Sequence, residues 1–93
     1  MVIGLLTLDL HIPGAHSLKD KRHALRGLET RLRERFNVAV AEVADRDLWQ
    51  RTRLAVVSVN TDAGHLDATL QAAAAEAEQV RLIEVLDVHT EVL

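Results

Sequence analysis

Three observations predict an α+β sandwich in which four antiparallel strands lie under two helices. Apolar residues alternate over residues 2–12, 38–43, 52–61 and 81–92. They recur every three or four positions over residues 18–36 and 66–80. Between these patterns stand the breaker pair Pro13-Gly14 and the cap-forming Ser17, Thr61 and Asp62, where one periodicity gives way to the other.

The first strand, Val2 to Ile12, has an apolar row of Gly4, Leu6, Leu8, Leu10 and Ile12 and a second row that turns polar through Thr7, Asp9 and His11. Ser17 is placed as an N-cap with Asp20 three residues on, a weaker relative of the Ser/Thr-x-x-Glu capping box, and this cap explains Ser17 without a catalytic role. The helix that follows carries Leu18, Leu25, Leu28, Leu32 and Phe36 inward, with Lys21 in the gap between 18 and 25. A second strand runs from Val38 to Val43, and residues 44–51 read as a polar loop around Leu48 and Trp49. The third strand, Thr52 to Thr61, is apolar on both faces, which suits a central position. Thr61 or Asp62 caps a second helix reaching about Val80, with Leu66, Leu70, Ala73, Ala77 and Val80 inward. From Arg81 onward, Leu82, Leu86, Val88 and Val92 alternate with Ile83, Val85, Asp87, His89 and Glu91 as a fourth strand.

The order strand, helix, strand, strand, helix, strand is the split βαβ pattern of a ferredoxin-like sandwich. Right-handed crossovers put both helices on one face and give the strand order 4-1-3-2. The polar rows Thr7, Asp9, His11 and Asp87, His89, Glu91 then share the open face.

With 93 residues the chain forms one domain, residues 1–93, able to bury roughly 60 to 70 per cent of its unfolded surface. Its core is aliphatic, because Phe36 and Trp49 are the only aromatic residues. The absence of cysteine excludes disulfides and thiolate metal sites and is compatible with a cytoplasmic location. The N-terminal apolar run contains Asp9 and has neither a basic leader nor a small-residue cleavage site, so it reads as a strand and not as a signal peptide or membrane span.

Charge is unevenly divided. Residues 17–36 hold seven basic side chains (Lys19, Lys21, Arg22, Arg26, Arg31, Arg33 and Arg35) against Asp20, Glu29 and Glu34, a net +4 in a chain whose total is −3. Such a division suggests a surface that meets a polyanion.

The runs His16-Ser-Leu-Lys-Asp-Lys-Arg22, Phe36-Asn-Val38, Ala41-Glu-Val43 and Asp47-Leu-Trp-Gln-Arg51 together resemble the small bacterial YlxP-like proteins over nearly the whole chain. That resemblance implies a ferredoxin-like fold. It also implies a link to RNA or the ribosome, since members are often encoded near translation and ribosome-maturation factors. It carries no catalytic residue with it.

Positions 19, 22, 26, 29 and 33 step by three or four along the first helix, so Lys19, Arg22, Arg26, Glu29 and Arg33 form one exposed stripe suited to phosphates. Arg46, Arg51 and Arg53 extend it from the neighbouring loop, where Trp49 either stacks on a base or folds back over the sheet edge or a subunit contact. Stacking of bases on central-strand aromatics is excluded, because those strands have none. The competing account of the stripe is a solvated face with local ion pairs from Glu29 to Arg26 and Arg33.

Asp9, His11, Asp87, His89 and Glu91 are the one group with acid-base or metal-ligand chemistry, but an open sheet face provides no enclosed set of three or four ligands. The isolated glycines offer no phosphate loop. The expectation is therefore a non-enzymatic, translation-associated domain, without cofactor or metal, that contacts structured RNA or a ribosomal subunit through Lys19, Arg22, Arg26, Arg33, Arg46, Arg51 and Trp49. The alternative is a homodimeric protein-interaction module with no nucleic-acid role, paired through the open sheet face or an edge by Leu5, Leu54, Val56, Ile83 and Val85.

Overall fold

A computed structural model describes residues 1–93. The elements are β1 (Val2–His11), α1 (Leu18–Arg35), β2 (Ala39–Ala44), β3 (Arg51–Asn60), α2 (Ala63–Glu78) and β4 (Glu84–Val92). The strands form one antiparallel sheet in the order β2-β3-β1-β4, which is the expected order read from the other edge. Both helices cover the same face.

The β1 row follows its alternation: Gly4, Leu6, Leu8, Leu10 and Ile12 are buried under the helices. Gly4 allows a close approach, because a Cβ there would stand 2.7 Å from Leu70 Cδ1 and 3.0 Å from Leu66 Cδ2 on α2 and would force those buried side chains to shift. Ser17 caps α1, its hydroxyl accepting from the Asp20 N–H at 3.0 Å while the Asp20 carboxylate accepts from the His16 N–H at 3.0 Å. This is a capping box closed by Asp and displaced by one residue from the usual reciprocal pair. Asp62 caps α2 by accepting from the His65 N–H at 2.8 Å.

The core differs from the sequence reading in three places. In α1 the buried residues are Lys21, Ala24, Leu25, Leu28 and Leu32, with Leu18 and Phe36 only half-buried at the helix ends. Helix α2 stops at Glu78, and Val80 packs against the core from the turn that follows. The third concerns the surface expected to pair copies of the chain: Leu54, Val56 and Ile83 lie buried on the helix side, Val85 packs against the same core, and only Leu5 faces outward. Leu54 and Val56 stand opposite Leu8 and Leu6 of the buried β1 row, and in β4 the reason is a bulge. Asp9 pairs with Asp87 but Leu10 pairs with Val85, so Leu86 is an extra residue that reverses the alternation of β4. Ile83 and Val85 thus point to the helices, whereas Asp87, His89 and Glu91 join Thr7 and Asp9 on the open face. A similar bulge sets Val43 apart in β2.

One position in α1 is unused. Gly27 sits exposed in mid-helix with nothing within 4 Å of a built Cβ. Gly27→Ala is expected to stabilise the protein by about 0.5–1 kcal/mol, since alanine restricts the unfolded chain and is the better helix former. Urea denaturation measures the change; a loss of stability would show an unrecognised constraint at this turn.

Candidate nucleic-acid interface

The basic side chains of α1 divide by the direction in which each leaves the helix. Lys21 points into the core, 1% exposed, and its Nζ is 2.8 Å from Glu42 Oε2 of β2 and donates to the Asp45 carbonyl at 2.6 Å. Glu42 Oε2 also accepts from the Thr52 hydroxyl of β3. The buried ammonium is thereby paired and hydrogen-bonded, the condition under which burying a charge is tolerable. Asp45, which supplies the carbonyl, has φ 58°, a left-handed conformation that Asp and Asn adopt more readily than most residues and that starts the turn after β2.

On the side facing α2, Arg31 Nε donates to Glu76 Oε1 at 2.9 Å and Arg35 Nη1 to Glu76 Oε2 at 3.2 Å, so one carboxylate holds two guanidiniums and ties the helices together. On the side facing β2, Arg33 Nη2 donates to the Val40 carbonyl at 3.0 Å and lies 3.5 Å from Glu29. Arg33 is therefore committed to the edge strand and leaves the expected stripe. The Glu29–Arg33 pair is present, whereas Arg26 has no ion-pair partner.

Lys19, Arg22 and Arg26 remain exposed with no carboxylate in ion-pair range. Arg22 and Arg46 line a shared hollow of about 230 Å³ with Leu18, Lys21, Glu42 and Asp47. Lys19 lines a neighbouring cleft of about 310 Å³ whose floor is Ile12, Ala15, Ala24 and Leu82. Arg26 stands on a groove that shares His23, Ala24 and Leu82 with that cleft. Gln50 joins the two loops at this end of the molecule, its Nε2 donating to the carbonyls of Ala15 at 3.0 Å and Pro13 at 3.2 Å. Lys21 and Gln50 thus fix residues 45–50 against the start of α1, and Arg46 and Trp49 are placed by side chains other than their own.

Trp49 is 52% exposed in this loop and plugs neither sheet nor edge. Arg51 pairs in register with His11 and faces away from the helices, so it does not share the surface of Arg22 and Arg26. Arg53 lies on the same open face, where its Nε donates to Asp9 Oδ1 at 2.7 Å. That hydrogen bond, then the charge of Asp9, raises the Arg53 pKa above its ordinary value; desolvation opposes them, and Asp45 and Asp87 add lesser upward contributions. The pairing also relieves Asp9 and Asp87, like charges directly opposite each other across β1 and β4. No three His, Asp or Glu side chains converge to hold a metal ion. No helix is long and apolar enough to cross a membrane.

The sequence shows Lys21 as a break in the apolar row without naming its partner. The signal that could have found it is that a lysine at a buried helical position demands an acid across the core, and Glu42 is the one carboxylate in the run Val38 to Val43.

Known proteins match this chain in sequence and in fold. An uncharacterised protein YlxP of Bacillus subtilis (strain 168) is 34% identical over 70 residues, which is 75% of this chain and 76% of that protein. Among solved structures, the de novo designed protein Foldit4 superposes with a TM-score of 0.56 at 13% identity, covering 96% of each chain. A C-terminal segment of the alpha subunit of aIF2 from Pyrococcus abyssi gives a TM-score of 0.53 at 14% identity, and here the chain spans 98% of itself but only 49% of that structure. At such identities the two structures share a fold with this chain and nothing more is drawn from them. The model of the DUF503 family, proteins of unknown function, matches residues 3–90, and with the YlxP similarity this places the chain in that family.

Proposed function

We propose that this domain contacts structured RNA, free or within a ribosomal subunit, through the phosphate backbone, using Lys19, Arg22, Arg26 and Arg46. The observation that supports this is the division of charge on α1: four of its seven basic side chains are taken up by Glu42, Glu76, Glu29 and the Val40 carbonyl, and the other three are left unpaired, Arg22 beside Arg46 and Lys19 and Arg26 along the adjoining clefts. Unpaired arginines held on a rigid helix match phosphates spaced along a backbone without reading base sequence. The domain is a binding module of the cytoplasm and not an enzyme in this reading. Its total charge of −3 weakens encounter with RNA and confines contact to this surface.

Titration of a structured RNA at two salt concentrations tests the reading. About three or four phosphate contacts predict that the logarithm of the affinity falls with the logarithm of salt with a slope of about −3. The double substitution Arg22→Glu with Arg26→Glu should lower affinity and reduce that slope by about 2. No binding at low salt, or a slope untouched by the substitution, rejects the proposal. Trp49 fluorescence that changes on binding would add a stacked base, and co-sedimentation with ribosomal subunits at low but not high salt would identify the larger partner.

A second reading, self-association without nucleic acid, draws on a different surface. Val57 and Val59 are exposed on the open face, where Leu5 and Ile3 lie opposite them, and β4 is exposed along most of its length.

A further inference from the structure

We infer that the outer edge of β4 pairs with β4 of a second copy of this chain, antiparallel and centred on Thr90. The inference rests on the self-association reading and commits it to an edge and a register.

The backbone of β4 sets which groups are free. The Leu93 N–H donates to the Ile3 carbonyl at 2.8 Å, so the Ile3 and Leu93 pair is of the hydrogen-bonded kind. Alternation along an antiparallel ladder makes Glu91, His89 and Asp87 bond to β1 and turns the N–H and C=O groups of Val88, Thr90 and Val92 outward. A row of unpaired backbone groups is a template for another strand. Strand β4 is weakly defended: no lysine, arginine or proline occurs from Glu84 to Val92, its bulge at Leu86 lies before the segment in question, and Asp87 and Glu91 carry its only charges beyond that bulge. The other edge strand, β2, is shorter, bulged at Val43, and has Arg33 bonded to its Val40 carbonyl.

The side chains select a second copy and the register. Val88 and Val92 lie on the helix side of the sheet, as their partners Leu8 and Gly4 do, yet they are 40% and 62% exposed. A two-fold axis through Thr90 sets Val88 of one copy against Val92 of the other, twice, and so covers both valines. On the open face the same axis sets His89 against Glu91, twice, a polar and charge-compatible pair. Outward-facing residues 88, 90 and 92 then meet one another, which is the arrangement that completes the hydrogen bonds. The short contact implies a weak, concentration-dependent dimer.

Sedimentation equilibrium over a range of protein concentrations tests this directly. The wild-type chain should pass from monomer to dimer, and Thr90→Lys should remain monomeric at every concentration while keeping its circular dichroism and melting curve, since Thr90 is exposed and its outward groups bond nothing within the chain. His89→Glu should dissociate the dimer by opposing Glu91, and the exchange His89→Glu with Glu91→His should restore it. In a register centred on Val88 the carboxylate introduced at position 89 would instead meet Asp87, and the exchange would fail to restore pairing, which overturns the register proposed. A wild-type chain that stays monomeric overturns self-association as a whole. A dimer indifferent to Thr90→Lys overturns only the edge and assigns pairing to the open face around Val57.

Discussion

Lys21→Ala is expected to destabilise the protein by about 3–5 kcal/mol, the usual cost of removing one partner from a buried ion pair. The substitution strips Glu42 of its only cation and the Asp45 carbonyl of its donor, leaving the Thr52 hydroxyl as the sole remaining partner of that carboxylate. Glu42 retains some contact with water, which favours the lower end of that range. For a domain of this size each kcal/mol moves the melting temperature by about 4–8 °C, so thermal unfolding should shift down by at least about 12 °C. Lys21→Met keeps the aliphatic stem and should still lose most of this stability, because the cost lies in the unpaired carboxylate. Adding Glu42→Leu should recover a large part of it, as apolar replacements of whole buried pairs often do. A Lys21→Ala loss below about 1 kcal/mol in urea denaturation would show that the pair contributes little. The same variant should also weaken any RNA contact made by Arg46, whose loop Lys21 holds in place.

Gly4→Val should cost about 3 kcal/mol, near the upper part of the range for overpacking a filled core. The Cβ alone would press on Leu70 and Leu66, and the two further methyls of valine have no space between β1 and α2. Valine suits a strand, so propensity works in the opposite direction; the prediction is that contact at 2.7 Å outweighs it. Gly4→Ala should fall in between. Denaturant midpoints for the two variants that matched wild type would mean that α2 shifts outward freely.

The fold was legible because local signals agreed with one another. The alternation of Leu6, Leu8 and Leu10, the caps at Ser17 and Asp62, and the leucine spacing of α1 each point to the same sandwich. Legibility failed where periodicity is broken by a single inserted residue: nothing in Glu84-Val-Leu-Asp-Val marks Leu86 as a bulge, and one extra residue reverses which side chains are buried. The candidate interface was readable by type but not by direction. Helical spacing sets Lys19, Arg22, Arg26 and Arg33 along one stripe, yet whether an arginine is free depends on acids and carbonyls distant in sequence, and Val40 claims Arg33 in the same way that Glu76 claims Arg31 and Arg35. Arg51 departs from the expected surface for a simpler reason, since it is the first residue of a strand whose parity sends it to the opposite face.

The guanidinium of Arg33 laid on the β2 carbonyl has a consequence for how large an assembly can become. A sheet with two available edges adds neighbours without limit and forms fibres, whereas a sheet with one guarded edge is used up once its other edge is paired. If copies pair through β4 as inferred above, an arginine that looked at first like a spare ligand for phosphate would act as a terminator, and the strand pairing would end at a finite, two-fold symmetric particle.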